Sequence, residues 1–524
     1  MQLDSKYHTA WLPDLIYVGG RFHSDLALVT DDRTGRVVGI VRAHEHDAAR
    51  VVRLKDRALL PGMANAHSHA FQRVIRGRTE FRSSAHDTFW TWREQMYSAA
   101  ARLTPDGIYD ASRMSFLEMA LGGITSVGEF HYLHHAPDGN RYDDPNLLSK
   151  QVIRAAQDVG LRIALLRVAY ARSGFDTPPN TRQRRFITRD AQDFIKHTDA
   201  LRAELAREAQ SRGERIATAW VGCAPHSVRA VPLETLREVC EYARAQKLPV
   251  HMHIAEQPAE VEACRTEHGR TPVALLADEG LLDARFTAVH AVHVSANEAR
   301  SLAVAGAHVC ACPTTERNLG DGIVPADLFF NAGVRVALGT DSHTQIDLLE
   351  DARELELNLR LAKLSRAVLA PATEDSGDST DDDSETSDGS SGDTNDEVRG
   401  DVNDEARGGA NDAGQNLDPS HSQMSSLAAR LFECATLHGA SSIAVPSGEL
   451  ASGLAADFFT VDLGDPSIAG AGKDDLLPAV VFSLTRAAVR EVCVGGRLVV
   501  EEGRHRAQGE IVERFAALQR RLWS

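Results

Sequence analysis

The sequence predicts an α/β fold: a closed (β/α)8 TIM-like barrel of eight parallel strands, with a small β-sandwich domain built from both chain ends. Three observations carry this expectation. Eight apolar, strand-like runs end at 58–67, 122–130, 162–170, 216–224, 248–254, 286–292, 306–312 and 334–340. Stretches with helical periodicity fall between them, roughly at 105–120, 146–159, 189–212, 232–246, 256–278, 295–304, 325–332 and 345–366. Parallel neighbours need a crossover, and a helix after each strand supplies it, so this alternation fits a barrel with outer helices. The two chain ends read differently, as short strands separated by turn residues.

The N-terminal strands lie at 15–18, 25–29, 37–41 and 51–54, and the C-terminal ones at 457–462, 489–494 and 497–500. Neither set makes a comfortable sandwich alone, so the two should pair. The expected division is 1–60 for the N-terminal part of the sandwich, 61–445 for the barrel, and 446–524 for the C-terminal part with a terminal helix.

Within the barrel region, 371–420 stands apart. Residues 374–418 hold 16 Asp or Glu against two Arg, which places 14 of the 17 net negative charges there and leaves the rest near −3. So polar a stretch buries too little apolar surface to offset the entropy of ordering, and it reads as a disordered insert. The preceding helix starts at the catalytic face and runs about 30 Å at ~1.5 Å per residue, so the insert should leave from the opposite face. A helix over 424–440 then resumes the fold.

The nearly neutral body argues for neither a nucleic-acid nor a membrane partner. No apolar run approaches the ~18 residues of a membrane span, and the first residues lack a secretory pattern. Seven scattered cysteines fit reduced thiols and a cytoplasmic location. Cys310 and Cys312, in a buried-looking strand, read as small core residues.

In such barrels the chemistry sits where strands end. The first run ends in His67-Ser68-His69. Residues i and i+2 of a strand point to one side, so the two imidazoles can grip one cation, and imidazole suits zinc, iron and their neighbours. The fifth run ends in His253 followed by Glu256, the sixth in His290 and the eighth in Asp341. This is the pattern of a three-His, one-Asp site for a single metal, with one additional histidine. His251, His293 and His343 read as supporting or structural.

Pro61-Gly62-Met63 leading into His67-Ser68-His69, the histidines of strands five and six, Thr340-Asp341-Ser342 and the stretch 447–457 resemble the amidohydrolase superfamily. Binuclear members carry a bridging Lys at the end of strand four; 217–226 has none, which implies one metal. Glu256, three residues after His253, resembles the deaminase branch. The stretches 69–73, 89–94, 129–132, 226–231, 253–257 and 318–322 resemble the formimidoylglutamate deiminase family, over nearly the whole chain outside 370–420. The resemblance implies metal-dependent hydrolysis of N-formimidoyl-L-glutamate to N-formyl-L-glutamate and ammonia, in histidine degradation. It implies one Zn2+ per subunit, with Fe2+ as the alternative, held by His67, His69, His253 and Asp341. Glu256, His290 and Asp341 would be catalytic. Gln72, Arg93, Tyr132, His226 and Arg229 would bind the substrate, a small dicarboxylate amidine; Arg forks suit carboxylates. A homodimer is implied as well. Two rivals remain. Another deaminase of the superfamily would act on a purine or pyrimidine base and would favour apolar and amide contacts over paired Arg. An inactive scaffold relative would have lost metal ligands, and here all four positions are filled.

Overall fold

The computed structural model describes residues 5–81, 88–371 and 427–524. Eight parallel strands form one sheet in chain order: β1 Met63–Ser68, β2 Ile124–His131, β3 Arg162–Ala169, β4 Ala219–Pro225, β5 Val250–Ile254, β6 Phe286–His290, β7 His308–Ala311 and β8 Arg335–Leu338. Every residue of β2 and β3 is buried, as expected for strands covered on both faces. The sheet closes between its first and last strands by a parallel bridge, Ser68 to Asp341. There the Asp341 N–H donates to the His67 carbonyl at 3.1 Å and the His69 N–H to the Asp341 carbonyl at 3.0 Å.

The run 58–67 serves two sheets rather than one. Arg50–Pro61 is a strand of a second, nine-stranded mixed sheet, and β1 begins only at Met63. Gly62 makes the transfer. Its N–H donates to the Asp457 carbonyl at 3.0 Å, and a Cβ there would lie 2.4 Å from Thr125 Oγ1, so no larger residue fits without displacement.

The two chain ends pair in that mixed sheet. Phe458–Asp462 runs antiparallel to Arg50–Pro61, with Phe458 opposite Pro61 and Asp462 opposite Arg57. His8–Val18, Leu26–Asp31 and Arg36–Arg42 continue the sheet on one side, Val489–Val494 and Arg497–Glu501 on the other. Trp11 packs edge-on against Phe458, ring centroids 5.0 Å apart, over Leu28 and Leu59. A buried ion pair, Arg162 to Asp457 at 2.8 Å, joins the start of β3 to this sheet.

The expected helices form between the strands, with three changes, one of them an added helix, Pro313–Leu319, directly after β7. The stretch 256–278 is two helices, Pro258–His268 and Pro272–Asp278, because Gly269 ends the first at φ 68° and Pro272 opens the second. Phe89–Arg102 is a further helix, started by a Thr88 capping box. The terminal helix Gln508–Trp523 returns to Pro105–Leu121, where Arg514 meets Asp110 at 2.7 Å. A helix over 427–433 runs through a π-turn, Cys434–His438, into Gly439–Ser442 and closes the barrel floor. The acidic stretch 374–418 lies outside the described residues. Its flanks meet, since Arg430 Nη1 donates to the Leu369 carbonyl at 2.7 Å. Among the described residues no helix is long and apolar enough to cross a membrane.

Candidate metal centre and substrate pocket

Four of the strand-end residues converge. His67 Nε2 and His69 Nε2 each lie 3.1 Å from Asp341 Oδ1. The two imidazole nitrogens are 3.2 Å apart, and His69 Nε2 is 3.4 Å from His253 Nε2. All four donor atoms fall within 4.8 Å of one another and all four residues are buried. A tetrahedron of donors ~2.0–2.1 Å from zinc has edges of roughly 3.3 Å, so the spacing suits a divalent ion. The outer nitrogens set the orientation. His69 Nδ1 donates to the Phe130 carbonyl at 2.9 Å and His253 Nδ1 to the His226 carbonyl at 3.2 Å, which turns each Nε2 lone pair inward. Burial holds His67 neutral, its pKa lowered to about 3. Burial works to raise the Asp341 carboxyl, but the His67 and His69 imidazoles set against it outweigh that and keep it well below the usual range. Neutral imidazoles with one ionised carboxylate are the donor set that a divalent metal takes.

Polar groups around this cluster are satisfied in pairs. Ser68 Oγ donates to Glu129 at 2.5 Å, and the Ala70 N–H donates to the other Glu129 oxygen at 2.8 Å; burial raises that carboxyl to about 7. His343 lies 3.0 Å from Ser68 Oγ and 3.1 Å from Thr340 Oγ1. His293 meets the Asp321 carbonyl at 2.8 Å, and His251, at the barrel floor, the Ser442 carbonyl at 3.0 Å. These three histidines have structural partners. Cys310 and Cys312 are buried with Ala66, Val289 and Ala337 as core.

Beside the cluster stand Glu256 and His290, with His290 Nε2 3.7 Å from Glu256 Oε1. Glu316, on the helix Pro313–Leu319, meets His290 Nδ1 at 3.2 Å and accepts the Cys312 N–H at 2.9 Å. Burial disfavours the His290 cation, but Glu256, Glu316 and Asp341 outweigh it and raise its pKa well above the ordinary value. The chain is strained here. Ala255, His290 and Asp341, at or just beyond the ends of β5, β6 and β8, have φ of 50°, 68° and 38°. Non-glycine residues in that region cost about 1–3 kcal/mol each and cluster at functional sites.

A small cavity opens over the cluster, and Gln72, Arg93, Tyr132, His226 and Arg229 all line it, together with Glu256, His290 and Asp341. Gln72 Nε2 donates to the Tyr132 hydroxyl at 2.9 Å. Arg229 Nη2 lies 3.6 Å from Glu256 Oε2. Arg93 stacks on Trp90, 4.4 Å from the ring centre, and no carboxylate pairs with it among the described residues. The Nε atoms of Arg93 and Arg229 are buried without a partner. Arg229 faces the buried carboxylates of Glu256 and Glu260, while Arg93 meets none among the described residues, so the cavity keeps a guanidinium free for an anionic ligand. Sequence reasoning missed Glu316 and the wall formed by Tyr97, Tyr170 and Phe186, which come from separate segments with no shared spacing to read. Glu129 lay inside a stretch singled out for other reasons and was detectable as a strand-end acid.

The amidohydrolase family profile matches residues 58–499. The chain is 35% identical over 459 residues to the formimidoylglutamate deiminase of Pseudomonas aeruginosa, covering 87% of this chain and 88% of that protein. It is 28% identical over 342 residues to a 5-methylthioadenosine/S-adenosylhomocysteine deaminase of Haloquadratum walsbyi, covering 61% and 67%. Among solved structures, an amidohydrolase from Brucella melitensis superposes with a TM-score of 0.79 at 31% identity, over 98% of this chain and all of the other.

Proposed function

Because the chain belongs to the amidohydrolase family, we propose that it hydrolyses N-formimidoyl-L-glutamate to N-formyl-L-glutamate and ammonia, as a step in histidine degradation. The observation that carries this reading is the cavity itself: two arginines with unpartnered Nε atoms face the pocket of the four-donor cluster. The substrate is a dicarboxylate with a cationic amidine at one end, and the pocket offers guanidinium groups for the carboxylates and Glu256 for the amidine.

His67, His69, His253 and Asp341 would hold one divalent metal, zinc by preference and iron(II) as the alternative. Bound there, it supplies Lewis acidity that makes a water nucleophilic near neutral pH. Asp341 takes a proton from the attacking water. Glu256 pairs with the amidine N–H groups, takes the second proton of the added oxygen and gives it to the nitrogen that leaves as ammonia. His290, held at Nδ1 by Glu316, stabilises the negative charge that builds on the added oxygen. Gln72, Tyr132, His226, Arg93 and Arg229 orient the glutamate moiety. The cytoplasmic location is supported by seven free cysteines, all buried. The homodimer rests on resemblance to the family, and light scattering reads it directly.

The rival reading, deamination of a purine or pyrimidine base, draws on the adenosine-type deaminase relative. Paired arginines in the cavity weigh against it. Metal analysis coupled to ammonia release from formimidoylglutamate, cytosine and guanine separates the two. We expect release from formimidoylglutamate alone, with about one metal per chain. Release from a base instead overturns the assignment.

A further inference from the structure

Three buried groups on the pocket wall away from the metal cluster have no part in the chemistry above. Tyr97 and Tyr170 line the cavity beside Arg93 and Arg229. Behind them lies Gln183, with no exposed surface. Its Nε2 donates to the Tyr170 hydroxyl at 2.8 Å and to the Tyr97 hydroxyl at 3.2 Å. Its Oε1 accepts from Ser173 Oγ and, at 3.4 Å, from the Asn180 backbone N–H. A backbone N–H can only donate, so that bond fixes which end of the amide is oxygen.

This arrangement decides what the phenols can do. Gln183 uses both of its N–H groups on the two phenol oxygens, so each tyrosine accepts from it and keeps its own O–H proton to give. The two hydroxyls are adjacent, both held on the Gln183 amide nitrogen, so at most one O–H proton can be spent on the other phenol. At least one O–H donor of the pair is left over. Among the described residues it meets no acceptor. A buried donor without an acceptor is costly, and this one faces a cavity whose nearby guanidinium groups already favour an anion.

We propose that Tyr97 and Tyr170, clamped by Gln183, are specificity-determining residues that recognise the side-chain carboxylate of the substrate together with Arg93. The proposal rests on the dicarboxylate reading above. Position selects that carboxylate. Tyr170 meets His226 edge-on at 4.6 Å, and His226 lies tilted against His253 at 4.8 Å, so one ring, His226, stands between Tyr170 and the four-donor cluster. In N-formimidoylglutamate the α-carboxylate is close to the reacting carbon and the side-chain carboxylate is further off. The outer donors therefore meet the outer carboxylate. The device is built for a fixed, uncharged donor: a Gln behind two phenols fixes proton direction without adding a competing charge.

The test compares kcat/KM for N-formimidoyl-L-glutamate and N-formimidoyl-L-glutamine, which replaces that carboxylate by an amide. It uses the metal-loaded wild type and the variants Tyr97→Phe, Tyr170→Phe and Gln183→Met. Wild type should prefer the acid. Each variant should lose about 10- to 100-fold on the acid, the share of one hydrogen bond to a charged group, and change less than about threefold on the amide, with metal content unchanged. Equal losses on both substrates, or an unchanged preference, overturn the proposal. Calorimetric titration with glutarate gives a readout without turnover. If wild type releases no ammonia from formimidoylglutamate yet binds glutarate more tightly than Tyr97→Phe, the tyrosine site stands and the reaction assigned above falls. Equal glutarate binding by wild type and Tyr97→Phe counts against the site itself.

Discussion

His251 and His253 stand two residues apart on one strand, both buried inside the barrel, and they do opposite things. His251 reaches the floor, where it meets the Ser442 carbonyl at 3.0 Å; nearby, His308 meets Ser441 Oγ at 3.1 Å and His438 the Val336 carbonyl at 3.0 Å. Each floor histidine has its own protein partner. Burial keeps His251 and His308 neutral, lowered to about 4 and about 3. At the mouth, His253 turns its Nε2 toward the nitrogens of other imidazoles and the carboxylate of Asp341. Residue type and burial are the same at both ends. Convergence on a shared point without a protein proton donor distinguishes a site for an ion from a polar plug.

The comparison is most directly broken by exchanging the two. His253→Ala should lose bound metal and with it kcat, by roughly 10³-fold or more. His251→Ala should keep both and lose only stability, about 1–3 kcal/mol for the broken buried hydrogen bond. Metal analysis, turnover and thermal unfolding of the pair read this out; metal loss in His251→Ala would erase the distinction between floor and mouth. Next in size, Glu256→Gln should retain the metal and lower kcat by about 10²–10⁴-fold, the usual share of a general acid/base. Near-normal kcat would move the proton-handling role elsewhere. Arg93→Met should raise KM for formimidoylglutamate about 30-fold or more, at ~2 kcal/mol or more for a lost charge-assisted pair, with metal content unchanged. An unaltered KM would show that the substrate does not reach this wall. The smallest effect is expected for the acidic stretch. Excising 374–418 should leave kcat within about twofold, because the flanking Leu369 and Arg430 already touch and closure entropy changes only slowly with loop length. A large fall in kcat with folding preserved would show that the stretch reaches the catalytic face.

Much of this was legible because barrel strands write their function at their ends. His67, His69, His253, His290 and Asp341 each follow an apolar run, so strand period and residue type together mark the cluster. Gly62 was less legible. The apolar run through it is continuous, and only packing against Thr125 reveals that two sheets meet there. Glu316 and Gln183 were invisible for a different reason. Each acts through another side chain, and the partner comes from a distant segment, so no local spacing records the pair. Helix Phe89–Arg102 was hidden by its own composition, since its aromatics and Arg93 serve the pocket as well as the core.

The hydrogen bonds that close the barrel involve the backbone of His67, His69 and Asp341, the same residues that present donors to the cluster. The seam and the candidate metal centre are therefore one object, and it has a history during synthesis. A growing chain exposes His67, His69 and His253 early, but the clasp cannot shut until Asp341 has left the ribosome. Arg50–Pro61 waits longer still for its partner Phe458–Asp462. Until then the nascent protein carries open strand edges, the form in which chains aggregate. A chain cut short before β8 keeps three of the four candidate donors, His67, His69 and His253, and lacks Asp341, which also closes the barrel.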